Sequence, residues 1–249
     1  MYPTRIALLC LLCTCVPALL GAQTATELIE KVVDAMGGPG ALHRLEDVEY
    51  TYTRGNNNSL ERYRFDGEVS YGRSRDTSGR VHEEYHNGRT TTVLIDGQMT
   101  LDPEALARAT FRRKTNYYWL TMMHKLRDPG ARHTYVGNDT LDGTAYQVVD
   151  MTFDDGVGQA KDRYRLFIHP ETHLVDRFLY TVAAYDRMTP TLKEVTYETF
   201  ADDVRLPVAT RSRAALDWDG TPDPAATWTE TTYSRFRFHN GFTAETIRQ

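Results

Sequence analysis

Cysteine is scarce in this chain of 249 residues, and its three copies, Cys10, Cys13 and Cys15, all lie near the N-terminus. Residues 23–249 contain no thiol. Disulfides, cysteine–metal sites and cysteine nucleophiles are therefore excluded from that part of the chain.

The first 22 residues have the composition of a signal peptide. Arg5 supplies one positive charge, an apolar run follows it, and small residues lead to Ala22. This order predicts a leader over residues 1–22 that is cleaved near Ala22, and hence an exported, periplasmic protein. Lipid attachment at Cys15 is the alternative, since Leu12 stands three residues before that cysteine.

The rest of the chain also lacks an excess of positive charge and a second long apolar run. Without Arg5 the 29 basic residues become 28 against 34 acidic ones, a net charge of −6, which disfavours a nucleic-acid partner. A membrane-spanning helix needs roughly 20 apolar residues, and residues 23–249 offer no such run. We therefore expect no transmembrane segment after the leader.

Motifs for catalysis are missing as well. There is no Gly-x-Ser-x-Gly elbow and no glycine-rich phosphate loop. Adjacent acids such as Glu83 and Glu84 point to opposite faces of a strand, so they do not form a catalytic pair by themselves. We predict no catalytic residue and no cofactor, and enzymatic activity is the less favoured interpretation.

Alternation of apolar and polar residues is what the sequence has in abundance. This period of two is typical of strands with one buried face. Asx-Gly pairs between the first segments indicate hairpins. In the first half the predicted strands are Val48–Thr53, Glu61–Phe65, Glu68–Arg73, Val81–His86 and Thr91–Ile95. In the second half they are His133–Val136, Thr144–Phe153, Arg163–His169, Leu174–Tyr185, Leu192–Phe200, Val204–Arg213 and Thr227–Phe238.

Two segments have helical spacing instead. The first is predicted to start at a Thr24 or Thr26 cap and to end at Gly37-Gly38. The second is predicted to start at an Asp102 cap with Pro103 in the first position, to break near Thr115-Asn116, and to reach Leu126.

These elements predict a mainly β (α+β) protein. A large antiparallel sheet tends to curl because its twist accumulates, and curling creates a face that the two helical segments can cover. We predict a single domain over residues 23–249, with a curved antiparallel sheet or incomplete β-barrel, an N-terminal helix and a helical lid.

Three features follow one another in a characteristic order: the opening helix closed by Gly37-Gly38, the segment Tyr117–Leu126 with Asp128-Pro129-Gly130 after it, and the strand 162–168 with its turn at 169–172. In this order the chain resembles the LolA/LolB-like superfamily of periplasmic lipoprotein carriers, and within it a group of uncharacterised exported proteins. The resemblance implies an incomplete barrel under a helical lid, whose apolar cavity receives acyl chains in the named carriers.

The segment Tyr117–Leu126 is the strongest candidate for a ligand site. An aromatic and methionine stripe is typical of ordinary core, but the adjacent flexible thioethers of Met122 and Met123 also suit a surface that accepts apolar chains. A hydrophobic small molecule or a lipidated protein would be the partner. The predicted cavity residues are Tyr118, Trp119, Met122, Met123 and Leu126.

Two other functions remain open. His82, Glu84 and His86 lie two apart on a predicted strand, so they share a face and are an alternative metal set for an exported metal-dependent hydrolase. The competing interpretation is a polar strand face exposed to water. The third function is an envelope-assembly protein that binds polypeptide through a sheet edge.

Overall fold

The structure is a computed structural model that describes residues 16–155 and 162–249. The helices in these ranges are α1 (Val16–Ala35), α2 (Ala41–Leu45) and α3 (Pro103–Thr121), with 3₁₀ turns at Met122–His124, Ala183–Tyr185 and Ala201–Asp203. The strands are β1 (Asp47–Arg54), β2 (Asn57–Arg64), β3 (Val69–Arg75), β4 (Val81–Asn87), β5 (Thr91–Ile95), β6 (Gln98–Met99), β7 (Ala131–Leu141), β8 (Thr144–Phe153), β9 (Tyr164–Ile168), β10 (Val175–Val182), β11 (Arg187–Thr199), β12 (Arg205–Ala214) and β13 (Thr229–Phe238).

All these strands form one antiparallel sheet. Its order is β6-β5-β4-β3-β2-β1-β13-β12-β11-β10-β9-β8-β7, so the pairing of β1 with β13 joins two meanders. Strands β6 and β7 form the two edges of the sheet, which is therefore not closed. This confirms the predicted mainly β fold with an incomplete barrel.

The Asx-Gly pairs form hairpins as predicted. Asp96 and Gly97 have φ angles of 50° and 78°, both in the left-handed region, and they connect β5 to β6. Two central residues with positive φ are what the type I′ hairpin turn requires, and its twist matches that of the flanking strands. Local turn chemistry therefore determines the order of strands in the first meander.

Helix α1 ends where its sequence predicts and begins earlier than predicted. It stops at Ala35, and Gly37 follows with a φ of 117°. At the other end the chain is already helical at Val16, the first residue that the structure describes, so the predicted cap at Thr24 or Thr26 is wrong. Ala18, Leu19, Leu20 and Ala22 are strong helix formers and extend the helix before these threonines. The predicted cleavage point near Ala22 falls within this helix, while residues 1–15 of the predicted leader, including Cys15, lie outside the described residues.

Helix α3 begins as predicted but runs further without interruption. The Asp102 carboxylate accepts hydrogen bonds from the backbone N–H groups of Glu104 and Ala105, and Pro103 opens the helix. The predicted break near Thr115-Asn116 is wrong, since α3 continues to Thr121 and a 3₁₀ turn then replaces the predicted helical end at Leu126. Asn116 Nδ2 donates to Glu61 at 3.3 Å, so a tertiary contact stabilises this weak helix former.

The helices cover one face of the sheet, which we call the inner face. One core cluster joins α1 and the Met122–His124 turn to strands β8–β10, and a second joins α2 and α3 to β1 and β2. The opposite face carries smaller clusters beneath residues 215–228 and 242–247. Among the described helices, none is both long and apolar enough to cross a membrane.

Candidate functional site

An apolar cavity lies between the helices and the inner face of β10–β12. Its helical wall consists of Met36, Trp119, Leu120, Met122 and Met123. Its sheet wall consists of Phe178, Lys193, Val195, Tyr197, Pro207 and Thr210. Both walls are mostly apolar or aromatic, so the cavity could accommodate an apolar ligand.

The sheet wall follows from strand alternation. Lys193, Val195 and Tyr197 lie two apart on β11 and line the cavity, whereas Leu192 points to the opposite face and packs in its cluster. The strand register places Phe178 of β10 beside Lys193. A period of two therefore brings one lysine into an otherwise apolar row.

The structure brings three of the five predicted cavity residues to this site. Trp119, Met122 and Met123 line the cavity. Tyr118 and Leu126 do not line it: the Tyr118 ring lies 6.2 Å from that of Tyr164, and Leu126 is buried in the cluster with α1. Side chains of one short segment thus divide between the cavity and ordinary core.

The cavity is nearly filled by its own side chains. About 10 Å³ remains accessible within it, which is enough for roughly one water molecule. Pockets that hold small organic ligands typically measure about 300–1,000 Å³. A lipid chain can therefore enter only if part of the wall moves, and the unbranched Met122 and Met123 are suited to such repacking.

Lys193 is the residue of this site that sequence reasoning missed. Its Nζ lies 3.6 Å from the centroid of the Trp119 ring and 5.4 Å from that of Tyr180, and the residue is only 7% exposed. Burial, with a smaller contribution from the charge of Arg54, lowers its pKa from 10.5 to about 7. The sequence feature that could have identified Lys193 is its position on the same face of the strand as Val195 and Tyr197, two and four residues before them.

A buried arginine fixes the other part of α3 to the sheet. The register of three neighbouring strands places Glu61, Gly72 and Glu84 side by side. Arg113 lies over this row: its Nη1 and Nη2 donate to Glu61 at 2.6 and 3.0 Å, and its Nε donates to Glu84 at 3.0 Å. We call Glu61, Gly72, Glu84 and Arg113 the arginine clamp.

Gly72 is essential to the geometry of the arginine clamp. A Cβ atom at this position would lie 2.2 Å from Nη1 of Arg113, so only glycine leaves room for the guanidinium. Arg113 is 2% exposed and Glu61 is fully buried. Because both carboxylates bind arginine, with Arg112 as a second partner of Glu84, the buried charges are compensated.

The face carrying His82, Glu84 and His86 is not assembled as a metal site. Glu84 binds the two arginines, His82 Nε2 lies 3.0 Å from Asp76, and His86 Nδ1 lies 3.0 Å from Thr91. Within the described ranges no group of three His, Cys, Asp or Glu residues is placed to hold a metal ion. The competing prediction of an exposed polar face is also wrong, because α3 packs on β4 and buries Glu84 and His86.

Comparison with solved structures shows which fold this is. A DUF1329 family protein from Desulfovibrio piger matches with a TM-score of 0.53 at 13% identity, covering 90% of this chain and 96% of its own. An outer membrane lipoprotein-sorting protein domain from Vibrio parahaemolyticus matches at 0.51 and 8% identity, covering 91% and 97%. A LolA superfamily protein from Nitrosomonas europaea matches at 0.51 and 12% identity, covering 90% and 97%. The chain therefore has the LolA-like fold.

Comparison with sequence families matches a smaller part of the chain than the solved structures do. A family model described as a family of unknown function (DUF6503) matches residues 102–195. No curated protein matches the chain. The matched segment runs from the Asp102 cap through α3 to Lys193 and Val195, so it contains Trp119, Met122 and Met123 together with part of the sheet wall.

Proposed function

We propose that this is an exported periplasmic protein that binds or carries a hydrophobic ligand, a lipid or the acyl chain of a lipoprotein, without catalysis. The observation that carries the proposal is the apolar cavity that Trp119, Met122 and Met123 close over the inner face of a LolA-like sheet. The lipoprotein-sorting domain among the structural neighbours is consistent with this use of the fold.

Binding begins with movement of the helical wall. The Met122–His124 turn and the C-terminal end of α3 move away from β10–β12, and the acyl chain takes the place of the Trp119 and methionine side chains. Each buried methylene contributes about 0.8 kcal/mol, so about ten methylenes contribute about 8 kcal/mol towards the cost of opening. Release follows when a partner offers a better apolar site, which shifts the equilibrium towards the open state.

Uptake of a dansyl-labelled fatty acid tests this proposal. Wild-type protein is expected to enhance the dansyl fluorescence saturably, and native mass spectrometry should show one bound chain. Met122→Glu should abolish the signal, because seating an acyl chain in the cavity would then bury an unpaired carboxylate. If wild-type protein gives no enhancement of dansyl fluorescence and native mass spectrometry detects no bound chain, the proposed function is disproved.

Met99→Glu is the matched control. It introduces the same charge at a methionine that is 66% exposed on the edge strand β6. Its uptake should equal that of the wild type, and circular dichroism should show that all variants are folded. Normal uptake by a folded Met122→Glu protein would remove this cavity as the binding site.

A further inference from the structure

The cavity contains one cation without a counter-ion. Lys193 is 93% buried, and no carboxylate among the described residues contributes to its pKa or accepts a hydrogen bond from its Nζ. Its contacts are with the rings of Trp119 and Tyr180. A buried ammonium is stabilised only partly by aromatic faces, so an anion placed next to it would gain substantially.

Two further cations lie close to this end of the cavity. Burial raises the pKa of the Tyr180 hydroxyl, and the positive charges of Arg54 and Arg187 act against burial and lower it. Both arginines are exposed and form no ion pair within the described ranges. The charge of Arg54 also contributes to the lowered pKa of Lys193. The end of the cavity at Lys193 is therefore electropositive.

We propose that Lys193 binds the anionic head group, a carboxylate or a phosphate, of an amphiphile whose acyl chain occupies the cavity. This inference rests on the proposed function and adds the charge of the ligand to it. The head group would lie next to the Lys193 Nζ, with Arg54 and Arg187 attracting it from the solvent side, and the chain would extend towards Met122 and Met123. The favoured ligand is thus a fatty acid or a lipid phosphate.

Proton uptake provides a second signature. With a pKa of about 7, Lys193 is mostly neutral at pH 8 in the empty protein, and an adjacent anion would restore its charge. Among the described residues, the titratable and charged groups that contact Lys193, line the cavity with it or contribute to its pKa are Tyr180, Tyr197 and Arg54. Burial raises the pKa of both tyrosines, so they stay protonated at pH 8 and Lys193 is the group that takes up the proton.

Isothermal titration calorimetry with matched twelve-carbon ligands tests the inference. Dodecanoate and dodecyl phosphate are expected to bind wild-type protein at least tenfold more tightly than dodecanol, and whichever anion binds more tightly identifies the source of the charge. In Lys193→Met this preference should disappear while dodecanol binding remains. Lys31→Met, which removes an equal charge from an exposed position on α1, should retain the wild-type preference.

Three binding outcomes would contradict the inference. Wild-type protein that binds dodecanol and the anions equally overturns the inference and leaves the proposed function standing. An anion preference that survives in Lys193→Met also overturns it. If no ligand binds wild-type protein, the proposed function fails and the inference fails with it. At pH 8, titrations in two buffers of different ionisation enthalpy should show uptake of nearly one proton in the wild type and none in Lys193→Met.

Discussion

Replacement of the buried ammonium of Lys193 by a methionine side chain should stabilise the empty protein, by an amount that decreases as the pH rises. Burial lowers the pKa of Lys193 to about 7, whereas the unfolded chain keeps a value near 10.5. Between these two values the unfolded state binds a proton that the folded state does not. Stability of the wild type therefore increases with pH in this window, by about 1.4 kcal/mol per pH unit.

The size of the effect follows from the same two pKa values. Below pH 7 both states carry the proton, and the penalty for the buried charge is at its full value of about 5 kcal/mol. At pH 9 about 2 kcal/mol of it remains. Lys193→Met lacks the titrating group altogether, so its stability advantage over wild type should shrink by about 3 kcal/mol from pH 6 to pH 9.

Urea unfolding at pH 6, 7, 8 and 9 measures this difference directly. Subtracting the wild-type free energy of unfolding from that of the variant removes the contributions of all other titrating groups. Any constant gain from packing of the methionine does not change how this difference varies with pH. Melting temperatures should converge by about 5–10 °C over the same range. A difference for Lys193→Met that does not change with pH would refute the assignment of a buried, unpaired ammonium.

Three further outcomes follow from buried or capping groups. Gly72→Ala should destabilise the protein by about 3–5 kcal/mol, because the new methyl group displaces the guanidinium of the arginine clamp. In a double-mutant cycle with Arg113→Met, the alanine should be nearly neutral once Arg113 is replaced, and additive effects of the two substitutions would contradict this. Asp102→Ala should lower the free energy of unfolding by about 1 kcal/mol through loss of the α3 cap, and an unchanged urea midpoint would argue against the cap. Burial lowers the pKa of His124 to about 4, so the free energy of unfolding should fall by about 3 kcal/mol as the pH decreases from 6.5 towards 4. His124→Leu should make the free energy of unfolding less dependent on pH in this range. An unchanged acid transition in this variant would exclude His124 as its source.

The strands were predictable because their signals are local. The predicted strand Thr144–Phe153 has the bounds of β8, and Val81–His86 differs from β4 by one residue. Alternation requires only neighbouring residues, and an Asx-Gly pair fixes a hairpin turn whatever the rest of the chain does. The Asp102 cap of α3 was predictable for the same reason, since its acceptor and donors lie within three residues.

The arginine clamp was not predictable, because its parts meet only through register and docking. Glu61 and Glu84 each follow the alternation of a half-exposed strand, and only the pairing of β2, β3 and β4 aligns them beside Gly72. Their burial then depends on α3, which is distant in sequence. The same reason explains why His86 was expected to meet water and is instead buried under α3.

The burial of Lys193 depends on which face of β11 its side chain occupies and on which face of the sheet the helices cover. β11 carries apolar residues on both faces, with Leu192 on one and Val195 on the other, so alternation alone does not decide which face the helices cover. Docking of Trp119 over the inner face decides it. Sequence reasoning could find the aromatic and methionine segment, which is continuous, but not the lysine that this segment covers.

The middle and the C-terminal end of α3 are held by different kinds of interaction, and this difference indicates which part would open in the proposed binding. Arg113 holds its middle with directional bonds to buried carboxylates, and displacement there would leave charges unpaired, which an acyl chain cannot compensate. At the cavity, Trp119, Met122 and Met123 make mainly apolar contacts, which the methylenes of a ligand can replace in kind. The His124 Nε2 bond to the carbonyl of Arg205 is a single hydrogen bond that must be released, and water can satisfy both groups once the turn moves. The energetics thus favour opening at the Met122–His124 turn, with the arginine clamp as the fixed point.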